Sequence, residues 1–100
     1  MISYQLRIHP FAEFDMNHAK GWYNLKSENL GNEFMSEVEL TVSQILNNPY
    51  QFPRVTINTR KAVINRFPYS IFYQIGFNTI DLYAIFHNSR NPIIWKQRVK

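Results

Sequence analysis

Apolar and polar residues alternate at the start of the chain. Ile2, Tyr4, Leu6 and Ile8 fall on one parity, with Ser3, Gln5, Arg7 and His9 on the other. That period of two predicts a strand with one buried face. Pro10 ends it and suits the first turn of a helix, where its missing N–H costs nothing. Ala12, Met16, Ala19, Trp22 and Tyr23 then recur at three- and four-residue steps and predict a first helix, weakened a little by Gly21. After a turn-like segment from Ser27 to Gly31, Leu30, Phe34, Val38, Thr41 and Ile45 predict a second helix. Glu33, Glu37 and Glu39 lie mostly on its other side, and Asn47, Asn48 and Pro49 stop it. The two helices form an αα-hairpin suited to covering one face of a sheet.

Beyond Phe52 and Pro53 the texture becomes β-rich. Arg60 to Arg66, Tyr69 to Ile75 and Thr79 to His87 read as three strands, jointed at Phe67-Pro68 and Gly76-Phe77-Asn78. Joints this short make an antiparallel meander. Simple alternation puts Tyr69, Ile71, Tyr73 and Ile75 on one face, opposite Ile80, Leu82, Ala84 and Phe86, and leaves Phe72, Tyr83 and Ile85 on the other. Asn91 and Pro92 resemble the cap and first residue of a short closing helix around Trp95. The sequence therefore predicts one α+β domain over residues 1–100: strand, helix hairpin, three-stranded meander and short C-terminal helix.

Charge divides this chain unevenly. Residues 1–53 hold three cations against six carboxylates, a net of minus three, whereas residues 54–100 hold eight cations against Asp81 alone, a net of plus seven. A basic half of this kind points to a surface for nucleic acid or an acidic protein. Forty-five per cent hydrophobic and 16% aromatic residues support a folded core. With no cysteine, thiol nucleophiles, disulfides and cysteine-based zinc sites are excluded. His9, His18 and His87 are too scattered to make a metal signature. Gly21, Gly31 and Gly76 are too far apart for a phosphate-cradling loop, so no cofactor is expected. No secretory segment or membrane span is visible, and a cytoplasmic location is the expectation.

The candidate binding residues are Arg60, Lys61, Arg66, Arg90, Trp95 and Arg98. Arg66 and Arg90 bracket the meander, where they either grip phosphate or an acidic partner bidentately or solvate strand ends and pair with helix glutamates. His87 is either a proton carrier or a hydrogen-bonded structural residue at a strand end. Most aromatics are expected in the core, and Trp95 is the one left open as a stacking surface.

The order of elements, together with Trp22-Tyr23, Asn48-Pro49, Arg66-Phe67-Pro68-Tyr69, Tyr73, His87-Asn88-Ser89-Arg90 and Arg98, resembles the RelE/ParE superfamily, the toxin halves of bacterial type II toxin–antitoxin systems. The likeness spans nearly the whole chain. It implies a cytoplasmic toxin of plasmid-stabilisation type whose cognate antitoxin masks its active surface, with an apolar groove beside the sheet or helix hairpin to receive an antitoxin helix. Two activities exist in the family. RelE-like members cleave messenger RNA on the ribosome, and Lys61, Arg90 and His87 are the catalytic candidates under that reading. Ser70 and Val63 stand where that type carries basic residues, and Trp95 lies nearest the place of its C-terminal tyrosine. ParE-like members lack that constellation and are associated with poisoning DNA gyrase. The sequence sits closer to them, so whether it is an enzyme stays open. An inactive relative is the third possibility.

Overall fold

The computed structural model describes residues 3–99. Strand β1 (Gln5–Ile8) leads into helix α1 (Pro10–Lys26), helix α2 (Leu30–Asn47) and a single 3-10 turn at Pro49–Gln51. Strands β2 (Arg60–Val63), β3 (Tyr69–Ile75) and β4 (Thr79–His87) follow, and helix α3 (Ile93–Lys96) closes the chain. The sheet order is β1-β4-β3-β2; β2, β3 and β4 are antiparallel neighbours, and β1 lies parallel to β4. The α+β architecture read from the sequence is thus the one found.

Helix α1 starts where His9 Nδ1 accepts from the Phe11 amide, with Pro10 just inside the helix. Its buried face is Ala12, Asp15, Ala19 and Tyr23. Trp22, expected on that face, is instead 48% exposed; Tyr23 fills the core position one residue later, where it meets Phe34 and Phe67 at ring-centroid distances of 5.3 and 4.9 Å. Gly21 costs this helix about 1 kcal/mol relative to alanine. Helix α2 buries Gly31, Phe34, Val38, Thr41 and Ile45, nearly the stripe anticipated. Gly31 is required by close approach: a Cβ there would stand 2.4 Å from the Lys20 carbonyl oxygen, and its own amide donates to Asn24 Oδ1 at 2.8 Å.

Strands β3 and β4 have the bounds expected, but two features of the sheet differ. β2 stops at Val63 instead of reaching Arg66, because the Tyr69 amide turns to the Phe67 carbonyl instead of returning the bond that Ile64 donates to it, and Arg66 takes φ 72. The β3–β4 register also shifts between Phe72 and Tyr73: Phe72 faces Ala84, Tyr73 faces Leu82, and Tyr83 is left over. This β-bulge reverses the pleat. Ile80 and Leu82 face the helices as expected, but beyond Tyr83 it is Ile85 that joins the main core, while Ala84 and Phe86 turn to the opposite face. There they meet Phe72 and Trp95, so α3 roofs a second, smaller core. Ile2, assigned to the first strand from its alternation, lies outside the described residues.

Candidate functional site

A cleft of 220 Å³ opens on the α3 side of the sheet, between the β4–α3 connection, α3 and the 53–59 segment. Its walls include Lys61, Phe72, Phe86, His87, Asn88, Arg90, Trp95 and Lys96. Pleat parity decides which cations reach it. Lys61 pairs with Phe72 and shares its face, whereas its neighbour Arg60 pairs with Tyr73 and projects to the opposite side. Lys96 comes from α3, and Arg90 from the tight turn after β4, where its amide donates to the His87 carbonyl at 2.9 Å. That turn is braced: the Ser89 amide donates to His87 Nδ1 at 3.1 Å, and the Ser70 hydroxyl donates to Asn88 Oδ1 at 2.6 Å.

Among the described residues no carboxylate lines the cleft. The Arg90 guanidinium lies 3.9 Å from the Phe86 ring centroid and 3.9 Å from Asp15 Oδ1, beyond hydrogen-bonding reach. It therefore forms a long ion pair with Asp15 without a hydrogen bond to it. Asp15 is already engaged: its carboxylate, 3% exposed, accepts from Arg98 at 2.7 Å and from the Ile85 amide at 3.1 Å. Three cations around an aromatic floor produce a positive potential concentrated by low-dielectric walls, fitted to phosphate or carboxylate groups. Arg90, His87, Asp15, Tyr69, Phe14 and His18 also line a neighbouring hollow of 340 Å³ on the helix side. Burial pushes the Tyr69 phenol up, and Arg90 draws it part of the way back.

The sequence-derived site residues thus separate. Lys61 and Arg90 meet in the cleft, and His87 stands at its edge. Arg60 donates to the Tyr50 and Phe52 carbonyls at 3.2 and 2.6 Å, pinning the turn after α2. Arg66 does not point towards the open end of the meander with Arg90; it pairs with Glu33 at 3.0 Å and Glu37 at 3.7 Å on α2. Its positive φ directs it there. Arg98 is committed to Asp15 and to the Tyr83 carbonyl. Trp95, only 2% exposed, stacks on Phe72 at 4.5 Å and is a floor residue instead of an exposed platform. Sequence reasoning missed Lys96 and Asp15 as site residues. For Asp15 the signal was present, since an acid at a core position between Ala12 and Ala19 requires a buried partner.

A second, apolar groove of 380 Å³ lies between β1 and the helix hairpin, lined by Leu6, Ile8, Met16, Met35, Val38 and Val42 among others. No three His, Asp or Glu side chains converge as metal ligands among the described residues, and no described helix is long and apolar enough to cross a membrane.

No protein-family model matches the chain, and no curated protein matches it in sequence. Among solved structures, a chain of the chromosomal ParDE TA system from P. aeruginosa is similar to it at a TM-score of 0.70, covering 85% of this chain and 96% of that one at 14% identity. At that identity the likeness is one of fold, and the fold is ParE-like, as the sequence resemblance implied.

Proposed function

We propose that this chain is the toxin of a type II toxin–antitoxin pair, that it acts in the ParE manner by inhibiting DNA gyrase in the cytoplasm, and that a cognate antitoxin neutralises it. The observation that carries this reading is the ParE-like fold joined to a cleft lined by three cations, Lys61, Arg90 and Lys96, and, among the described residues, by no carboxylate, Asp15 standing 3.9 Å from Arg90 outside that lining. The antitoxin is assigned an amphipathic helix in the groove of Leu6, Met16 and Val38 and an acidic tail across the cationic cleft. Opposite charge then speeds association, and salt slows it.

RNA cleavage is the alternative because Lys61, Arg90, Lys96 and His87 border one cleft, as stabilisation of a phosphoryl transition state requires. Two features weigh against it. Ser70 is buried with its hydroxyl bound to Asn88, and Trp95 supplies a buried indole at the end of the chain where a phenol is wanted. Controlled expression with and without a neighbouring antitoxin gene tests both, with supercoiling and messenger RNA mapped in the same cells. Altered topology with intact RNA supports the gyrase reading, protein-dependent RNA cuts replace it with the nuclease, and no toxicity identifies an inactive relative.

A further inference from the structure

Helix α1 has two apolar faces, and the fold uses one. Alongside the buried face runs a second stripe, Phe11, Phe14, His18, Trp22 and Leu25, at steps of three, four, four and three residues. These positions sit together about a quarter turn from the core-facing ones. Phe11 is 55% exposed, Phe14 65%, Trp22 48% and Leu25 87%, and His18 is exposed as well. Since such large side chains each offer about 150–250 Å², the stripe leaves roughly 500 Å² open, at the top of what a monomer ordinarily shows.

Three observations bear on what could cover it. The spacing is palindromic about His18: reversed, the helix places Phe11 against Leu25 and Phe14 against Trp22, with His18 against itself. No stripe residue carries a carboxylate, guanidinium or ammonium group of its own, and the charges nearest it, Lys26 over the Trp22 ring at 4.9 Å and Arg98 over the Phe11 ring at 5.0 Å, lie against its ends, so its centre is apolar. Gly21, one turn from His18, is exposed, and a Cβ built there meets nothing within 4 Å. No contact inside the molecule requires glycine in mid-helix, and its lack of a side chain leaves room for a second helix to cross closely beside His18.

We propose that α1 pairs antiparallel with α1 of a second copy of this chain, about a twofold axis at His18. The pair covers roughly 1,000 Å² in total, the lower bound for specific association, and the interface is isologous. Phe14 and His18 also line the hollow that contains Arg90 and His87. The partner's Trp22, set against Phe14, therefore narrows access to Arg90 from the helix side. This inference is independent of the toxin reading.

Because the chain has no cysteine, His18→Cys places a single thiol at the axis. Sedimentation equilibrium of the full chain at micromolar concentrations is expected to show a dimer. Phe14→Asp, a change at an exposed position that circular dichroism should find folded, is expected to raise the dissociation constant about a hundredfold or more. Under mild oxidation His18→Cys is expected to form a disulfide-linked dimer faster than Leu40→Cys, an exposed position on α2. A monomeric wild-type chain overturns the proposal, as does a dimer indifferent to Phe14→Asp or one cross-linked faster through Leu40→Cys. A wild-type monomer whose antitoxin affinity drops with Phe14→Asp reassigns the stripe to that partner. Gyrase inhibition by the wild-type chain is scored separately, so failure of one reading does not disguise failure of the other.

Discussion

The Asp15 carboxylate and the Arg98 guanidinium meet through hydrogen bonds of 2.7 and 3.3 Å, joining the first helix to the end of the chain. β1 ends at Ile8, opposite Leu82, so the remainder of β4 has no strand on that side. Asp15 receives the Ile85 amide and Arg98 donates to the Tyr83 carbonyl, so the pair satisfies the bare edge that β1 leaves. Removing either partner strands the other charge in a buried place. Asp15→Ala and Arg98→Ala are each expected to lose about 3–5 kcal/mol of stability, with the double variant well short of the sum. Urea unfolding of the cycle measures this, and additive losses contradict the coupling.

Trp95 secures the second core through its stack on Phe72. Its indole N–H is buried without a partner, a cost of about 1–3 kcal/mol within an otherwise favourable contact. Trp95→Ala is expected to destabilise by about 3–5 kcal/mol. Trp95→Phe, which discards the orphaned donor while retaining an aromatic ring, should cost much less. Equal losses from the two changes would show that the N–H has a partner in solution.

The Tyr73 phenol donates to the Pro49 carbonyl at 2.6 Å, and burial pushes its pKa up from 10.0 to about 12, against an opposing effect from Arg60. Between those values the unfolded chain has released a proton that the folded one retains, so rising pH favours unfolding. The stability from this group is complete below about pH 10 and is lost as pH climbs towards about 12, at no more than about 1.4 kcal/mol per unit. Tyr73→Phe should flatten that part of the pH–stability curve while costing about 1–2 kcal/mol at neutral pH for the unpaired carbonyl. An unchanged alkaline slope in the variant assigns the loss to other groups.

Lys61, Arg90 and Lys96 are expected to act together on anions. Alanine at any of them should lower the salt concentration at which the protein leaves a heparin column, and each should reduce the salt dependence of polyanion binding by about one charge. Arg66→Ala is the control, because its partners are Glu33 and Glu37 on α2. It should elute close to the wild type once allowance is made for one surface charge. Equal shifts from Arg66→Ala and Arg90→Ala would dissolve the distinction between cleft and surface.

Most of the architecture was readable from local pattern. Gly76-Phe77-Asn78 and Phe67-Pro68 punctuate β3 and β4 strongly enough to fix their ends, and Leu30 to Ile45 keeps helical period throughout. Features depending on a single residue or on distant pairing were not readable. The surplus residue at Tyr83 leaves no local mark, because Ala84, Ile85 and Phe86 are all acceptable on either face. The parallel pairing of β1 with β4 joins segments more than seventy residues apart, beyond the reach of any periodicity. Of the site, Lys61 and Arg90 were legible as basic residues at plausible positions. Arg60, Arg66 and Arg98 looked equivalent to them in sequence, and only strand parity, a positive φ and a buried carboxylate set them apart.

The sheet's order has a consequence for synthesis. β4 is the strand that β1 needs as a neighbour, and Asp15 waits for Arg98, so segments made early are completed by segments made more than seventy residues later. A nascent chain can assemble its helices and first hairpin early, yet it cannot close this fold until β4 and Arg98 have been made. Messages truncated before Arg98 should therefore yield fragments that never reach the native state.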